Sequence, residues 1–260
     1  MPLTVDIVGT GNVAFHFAKS LATTSHKIVS LHSRNPAKGH KFLADTGINA
    51  EIQTGRTVLA SDLILLCVPD QALEHVAAEH RFAPQTTVVH CSGATDFSPF
   101  EGAQIPKYGV IYPYQTLTRG VAIDMSIVPL FIEANNQTSA EDVGQIAQSI
   151  SKNVREIDAQ NRLKLHLAAV FATNFSNAMY HIAADLLKET GEDFRTVEHL
   201  IQAATEKVRA VGPEAAQTGP ARRGDVKTMQ KHLKSLADPR LKEIYQLISD
   251  RISQASARKS

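Results

Sequence analysis

Along the first 158 residues, short runs of Val, Ile and Leu alternate with segments of helical spacing, and no other feature restricts the fold so strongly. Val5 to Val8 reads as a strand that runs into Gly9-Thr10-Gly11, after which Val13, Phe17, Ala18 and Leu21 recur at helical spacing. Lys27 to His32, Asn49 to Gln53, Asp62 to Val68 and Thr87 to Cys91 are further strand candidates, with helices over Pro36 to Thr46 and Gln71 to His80. Near-continuous apolar strands are those covered on both faces, as in a parallel sheet. Right-handed crossovers then put helices on both sides, so the expected class is α/β with a doubly wound parallel sheet. Lys107 to Tyr112, Val128 to Glu133 and Asn153 to Ile157 extend the sheet, with a helix over Ser139 to Ser151. Beyond Asp158 only helices are expected. Gln160 to Glu189 lacks Gly and Pro and is apolar almost all round, the signature of one long buried helix. Phe194 to Val211, Asp225 to Leu236 and Pro239 to Ala255 follow as helices. The expected domains are 1–158, an α/β unit, and 159–260, an all-helical unit.

Composition removes several function classes. Lys and Arg number 27 against 26 Asp and Glu, a net charge of +1, so no overall field draws the chain to nucleic acid or anionic membrane. No apolar run approaches the roughly 18 residues that cross a bilayer, and the first residues, Met1-Pro2-Leu3-Thr4-Val5-Asp6, do not read as a secretion signal. Cys67 and Cys91, the two cysteines, both lie in strand-like apolar runs, which suits thiols in a reducing cytoplasm. Buried thiols are the preferred reading over a disulfide framework, and because the proposed strand order allows the two to be neighbours, a redox pair is the secondary one. No CxxC or HExxH string occurs, and no metal is expected.

Gly9-Thr10-Gly11-Asn12-Val13-Ala14 has the GxGxxA form of a dinucleotide fingerprint, placed between a strand and a helix as that motif requires. Gly9 allows a tight turn, bare backbone at Gly11 lets a pyrophosphate reach the helix amides, and Ala14 packs helix on strand. The first domain therefore reads as a Rossmann-type nucleotide-binding unit, with Thr10, Asn12 and Val13 completing the contact; a methyltransferase, which also places glycines after its first strand, is the alternative for this loop alone. An NAD site usually carries an acid about 20 residues beyond the glycines. The sequence there is Leu31-His32-Ser33-Arg34-Asn35, and Ser33 with Arg34 suits the extra phosphate of NADP. Lys38 is within reach of the same region.

Ligands of open α/β sheets lie beyond the carboxyl ends of the strands. Val68-Pro69-Asp70 ends one strand on the expected nicotinamide side, with Asp70 also suited to capping the next helix. Ser92, in His90-Cys91-Ser92-Gly93-Ala94, is a candidate substrate contact, and a Ser-Gly pair is equally common turn chemistry. Tyr112-Pro113-Tyr114-Gln115-Thr116 crowns another strand with groups that would line a pocket or pack beneath the helical domain. On the long helix, His166, Thr173, Asn174, Asn177, His181 and Asp185 share one side at 100° per residue. Short polar groups and imidazoles in such a stripe read as a polar cleft lining, against satisfied core groups or a dimer contact. Hydride transfer leaves charge that needs a proton donor within hydrogen-bond reach; His166 is the candidate acid, Asn174 and Asn177 orient substrate, and His181 supports from behind. In Gln217 to Asp225, Arg222 or Arg223 is a candidate anchor for a substrate carboxylate or cofactor phosphate, with surface arginines on a turn the alternative.

Val8 to Ala14, Cys67 to Asp70, His90 to Ala94, Tyr112 to Thr116, His166 to Phe175 and Thr218 to Asp225 together make the chain resemble the bacterial Rossmann-like proteins with a carboxy-terminal domain of unknown function. The resemblance implies an NADP-dependent oxidoreductase, an architecture similar to β-hydroxyacid dehydrogenases and pyrroline-5-carboxylate reductase, and a helical domain that forms a homodimer. It supports Gly9, Gly11 and Ala14 for cofactor and marks His166, Asn174, Gly219, Pro220 and Asp225 as signature positions. Lys164 lies nearly opposite the polar stripe, so the catalytic lysine of hydroxyacid dehydrogenases has no counterpart. The expected function is hydride transfer between NADPH and a small carbonyl or imine, with a non-catalytic NADP-binding sensor or scaffold as the alternative.

Overall fold

The computed structural model describes residues 1–257. Met1–Ala178 forms one compact unit and a second begins at Met179. The first unit thus retains residues 159–178, which the sequence reading allots to the helical domain.

Its centre is an eight-stranded sheet in the order β10-β9-β8-β7-β5-β1-β2-β3. The strands are β1 (Thr4–Val8), β2 (Lys27–His32), β3 (Glu51–Gln53), β5 (Leu63–Leu66), β7 (Thr87–His90), β8 (Tyr108–Pro113), β9 (Leu130–Ala134) and β10 (Val154–Glu156). The two remaining strands, β4 (Val58–Leu59) and β6 (Arg81–Phe82), pair separately and are too short to carry a sequence pattern. Every pair in the large sheet is parallel except β8 with β9. That antiparallel pair departs from the expected all-parallel sheet. An apolar run records burial on both faces and does not record chain direction.

Helices α1 (Asn12–Leu21), α2 (Pro36–Thr46), α3 (Asp70–Glu79), α4 (Ser98–Gly102) and α5 (Gln137–Ile150) cover the sheet. Side chains alternate across a strand, so Val5, Ile7, Leu63 and Leu65 join Phe17, Leu21, Val143 and Ile146 in one core cluster. Ile64 and Leu66 point the other way, toward Leu73, Ala77, Val88 and Phe100. Boundaries follow local chemistry. Asn35 caps α2 by accepting the Lys38 amide at 3.1 Å, and Gly47 ends that helix at φ 71°.

Asp158 starts α6 (Ala159–Ala169) by accepting the Asn161 amide at 2.8 Å. A π-helical turn, Val170–Phe175, then leads into α7 (Ser176–Lys188). The single uninterrupted helix expected from Gln160 to Glu189 is therefore corrected. Thr173 Oγ1 donates back to the Ala169 carbonyl at 2.8 Å, a local bond that competes with the regular ladder. The expected burial of this segment is corrected as well. Arg162 is the one buried residue of α6, whereas Leu163, Leu167, Phe171 and Phe175 are 48%, 53%, 62% and 48% exposed. All-round apolarity signals a covered helix without saying that the cover belongs to the same chain.

The second unit is helical: the rest of α7, then α8 (Arg195–Ala216), α9 (Pro220–Arg223), α10 (Val226–Ser235) and α11 (Pro239–Ala257). Gly212, at φ 79° and followed by Pro213, breaks α8 near its end. Asp225 caps α10 through the Thr228 amide at 3.1 Å. Among the described residues no helix is long and apolar enough to cross a membrane.

Candidate functional site

The strand order reverses between β1 and β5, and the glycine turn sits there. Gly9 has φ 109°, and a Cβ at that position would lie 2.4 Å from the Cys67 carbonyl oxygen, so glycine alone fits. The Gly9 amide donates to the His32 carbonyl at 3.0 Å, which ties the turn to β2 as well. Crevices at such reversals are where open α/β sheets bind ligands.

Two cavities meet at this turn. One, of about 570 Å³, is lined by Gly9, Thr10, His32, Ser33, Arg34 and Lys38 on one side and by Val68, Pro69 and residues of α3 on the other. Its wall holds a buried polar chain. Ser30 Oγ donates to Asp6 Oδ1 at 2.6 Å, so His32 Nε2, 3.2 Å from the same hydroxyl, is the donor to it. Burial, with His80 nearby, pulls His32 down to about 4 against the opposing Asp6 charge, which keeps the ring neutral. Ser33 spends its hydroxyl on the Asn35 carbonyl at 2.8 Å. Arg34 is exposed beside Lys38, two cations at the open end of the cavity.

The other cavity, of about 580 Å³, shares Gly11, Cys67, Val68 and Pro69 with the first and continues past Asn12, Val13, Asp70, Ser92 and Tyr112 to Gln115 and Thr116. His166, Thr173 and Asn174 close it. A dinucleotide fits this layout, with bare backbone at Gly9 and Gly11 between two hollows and positive charge at the end away from His166.

The chemical centre is a pair. Tyr112 Oη lies 3.1 Å from His166 Nδ1, with the two rings edge to face. Gly93 supports it from behind, since a Cβ there would lie 2.7 Å from both His166 Nδ1 and Tyr112 Cζ. Burial, reinforced by Tyr114 and Asp70 and opposed by Arg162, pushes the Tyr112 phenol up to about 12. It therefore keeps its proton at neutral pH, and the bond to His166 Nδ1 runs in either direction according to the imidazole tautomer, with the Nδ1–H form leaving the phenol proton free for a ligand.

Arg162, one turn before His166, fixes the start of α6. It is 1% exposed, forms an ion pair with Glu133 of β9, and donates to the Thr95 carbonyl at 2.6 Å. The turn it grips is closed by His90, whose Nδ1 accepts the Ser92 amide at 3.1 Å and whose Nε2 therefore donates to the Asp96 carbonyl at 3.1 Å. Burial, with the Arg162 charge adding, drives His90 down to about 4.

The sequence-derived candidates distribute unevenly. His166 and Asn174 line the second cavity, as do Gly11, Asn12, Val13, Val68, Pro69 and Ser92. Ser92 is engaged in its own turn: Oγ donates to Thr95 Oγ1 at 3.0 Å and accepts the amides of Ala94 and Thr95. Asp70 opens α3 in its first turn, after Pro69 at the cap position, and makes no capping bond. Asn177 is exposed and is not among the cavity-lining residues; the π turn shifts the phase that put it in line with Asn174. His181 and Asp185 are exposed and belong to the second unit. So does Arg222, whose Nη1 donates to the Glu214 carbonyl at 3.0 Å. Tyr112 and Arg162 were not singled out for these roles. A phenol ending a strand signals little by itself, and an arginine becomes conspicuous only when buried.

Residues 4–92 match the family described as NADP oxidoreductase, coenzyme F420-dependent, and residues 128–252 match a domain of unknown function, DUF2520. A Bacteroides fragilis protein whose crystal structure is described as a "putative NADP oxidoreductase" is 33% identical, with a TM-score of 0.86 over 97% of this chain and 98% of that one. Pyrroline-5-carboxylate reductase of Streptococcus pyogenes shares the fold at 13% identity and TM-score 0.61, over 98% and 99% of the two chains. The reductive aminase of Aspergillus terreus does so at 14% and 0.68, over 99% and 95%. No curated protein matches the chain.

Proposed function

Because the chain belongs to the family that joins an NADP oxidoreductase domain to DUF2520, we propose that it is an NADP-dependent oxidoreductase acting on a small carbonyl or imine. The Tyr112–His166 hydrogen bond, set in a cavity that reaches the glycine turn, carries this reading.

When bound, NADPH supplies the hydride. Gly9, Thr10 and Gly11 seat its diphosphate, while Arg34 and Lys38 favour the additional phosphate that separates NADP from NAD, with Ser33 shaping the turn that carries them through its bond to the Asn35 carbonyl. Asn174 and Thr173 orient the substrate's polar atom toward the proton-donating pair. Reduction leaves negative charge on that oxygen or nitrogen. The Tyr112 hydroxyl is held beside it, and His166 replaces the proton that Tyr112 gives up. The raised pKa of Tyr112 suits donation to a strongly basic alkoxide or amine. Val68, Pro69 and Val13 exclude water from the reacting atoms.

The proposal includes a homodimer. Leu163, Leu167, Phe171 and Phe175 leave on one helical segment an apolar face too large to stand in water, and a second copy of the chain is the partner whose surface would match it. Free Cys67 and Cys91 suit a reducing compartment such as the cytoplasm.

The test is NADPH titration by fluorescence, followed by an absorbance screen of aldehydes, ketones and cyclic imines. Arg34→Ala is expected to weaken NADPH at least tenfold more than NADH, and Tyr112→Phe to slow turnover about 100-fold without altering NADPH affinity. Equal loss for both nucleotides refutes the phosphate assignment. Binding with no turnover across the screen favours a non-catalytic sensor. Light scattering that gives a monomer at micromolar concentration removes the dimer.

A further inference from the structure

Two thiols lie side by side in the second cavity and have no part in the reaction proposed above. Leu66 of β5 pairs with His90 of β7 in parallel register, so the next residues, Cys67 and Cys91, leave adjacent strand ends together. Their Sγ atoms are 3.8 Å apart, both thiols are free, and both line the cavity. Adjacent strands run about 4.8 Å apart, within the ~4.4–6.8 Å Cα separation that a disulfide spans. Rotation about the two Cα–Cβ bonds, together with a small draw of the Cys67 backbone toward β7, brings the sulfurs from 3.8 Å to about 2.05 Å.

We propose that Cys67 and Cys91 form a reversible dithiol–disulfide site in the cofactor cleft, oxidised by small hydroperoxides and restored by low-molecular-weight thiols. One thiol loses its proton, and its sulfur attacks a peroxide oxygen. The O–O bond breaks, leaving a sulfenic acid and a hydroxide that takes the released proton to become water. The second thiol attacks the sulfenic sulfur, forming S–S as S–O breaks, and its proton leaves with the hydroxyl as a second water. Two electrons pass from the sulfurs to the peroxide, and two external thiols return them by exchange. Its hydrogen bond to Cys67, burial and the neighbouring thiol's charge hold Cys91 well above the usual thiol range. The pair therefore reacts slowly, under an excess of peroxide rather than at trace levels.

The disulfide also acts on the nucleotide seat. The Cys67 amide donates to the Val8 carbonyl at 2.8 Å, and its carbonyl presses on Gly9 with no room for a methyl group. Drawing Cys67 toward β7 pulls this support from beneath the glycine turn, so oxidation weakens nucleotide binding.

The experiment uses the full chain, treated with hydrogen peroxide and then alkylated. Expected are a mass lower by about 2 Da, no alkylation at either cysteine, a cross-linked peptide joining them, and full reversal by dithiothreitol. NADPH affinity, read by fluorescence, is expected to fall at least fivefold on oxidation and to recover on reduction. Cys91→Ser should show neither peroxide effect relative to its own untreated state. Two alkylated thiols after peroxide, a disulfide between chains, or an intramolecular disulfide that changes NADPH affinity less than twofold overturns the proposal. The mass readout needs no cofactor, so a reduced chain that fails to take up NADPH would count against the function proposed above and leave the thiol site decided separately.

Discussion

Gly93→Ala tests the Tyr112–His166 pair without touching either member. The new methyl carbon would sit 2.7 Å from His166 Nδ1 and from Tyr112 Cζ. Ordinary contact begins near 3.5 Å, so each of the two contacts falls about 0.8 Å short of it. Tyr112 has little freedom, being 8% exposed and packed with Val110 and Phe131. The imidazole must move away and the Gly93 backbone must also retreat from Tyr112, and the 3.1 Å hydrogen bond does not survive both shifts. Overpacking of this size costs about 1–3 kcal/mol, or a fall in Tm of roughly 3–10 °C for a unit of this length. A misplacement approaching 1 Å costs about 100-fold in turnover. Gly93 lines neither cavity of the nucleotide cleft, so NADPH affinity should change less than twofold. The assays are thermal unfolding, NADPH fluorescence and substrate-dependent loss of NADPH absorbance. Adding His166→Ala removes one of the two clashing groups and should recover part of the lost Tm. Unaltered turnover together with an unaltered Tm would show that the glycine is not the wall against which the pair is held.

Gly9→Ala forces a side chain into φ 109° and into the Cys67 carbonyl; a loss of at least ~2 kcal/mol is expected, read by urea unfolding, and stability equal to the parent contradicts it. Arg162→Met leaves Glu133 without its cation and the Thr95 carbonyl without its donor. It should destabilise by about 3–5 kcal/mol, with Glu133→Gln in the same chain restoring part; a cost under 1 kcal/mol means the pair is dispensable. His90, held at about 4 in the fold, binds its proton near 6.5 when unfolded. The unfolded chain therefore takes up more protons between those values, and stability falls as pH drops from about 6.5 to 4, then levels. His90 alone accounts for about 3 kcal/mol of that loss, so unfolding midpoints at pH 7 and 4.5 should differ in the parent and differ less in His90→Asn.

The sheet was legible because each buried strand is an apolar run closed by a turn residue, and the glycine motif followed its strand immediately. Chain direction at β8 and β9 was not legible, since burial on both faces looks alike in either sense. Only the first part of the helical stripe faces the cavity, for a definable reason. A period of 100° holds as far as Ala169, and the π turn from Val170 to Phe175 then breaks the phase that aligned Asn177 with His166. Cys67 and Cys91 were placeable as neighbours from strand order alone; their 3.8 Å separation needed coordinates. Tyr112 was legible only as one of several groups crowning a strand, and Arg162 not at all, because their particular roles come from burial beside specific partners, which a linear pattern does not encode.

The second cavity has two kinds of wall, and their difference bears on how the protein could acquire a new specificity. Tyr112 and His166 line it on the inner side, wedged against each other and against Gly93 behind them, so a change there costs stability. Gln115, Thr116 and Asn174 border the same hollow from exposed positions, where replacement typically shifts stability by no more than about 0.5 kcal/mol. Under the reaction proposed above, directed evolution toward a different substrate can therefore begin on that outer rim, reshaping what is admitted while the Tyr112–His166 pair stays intact.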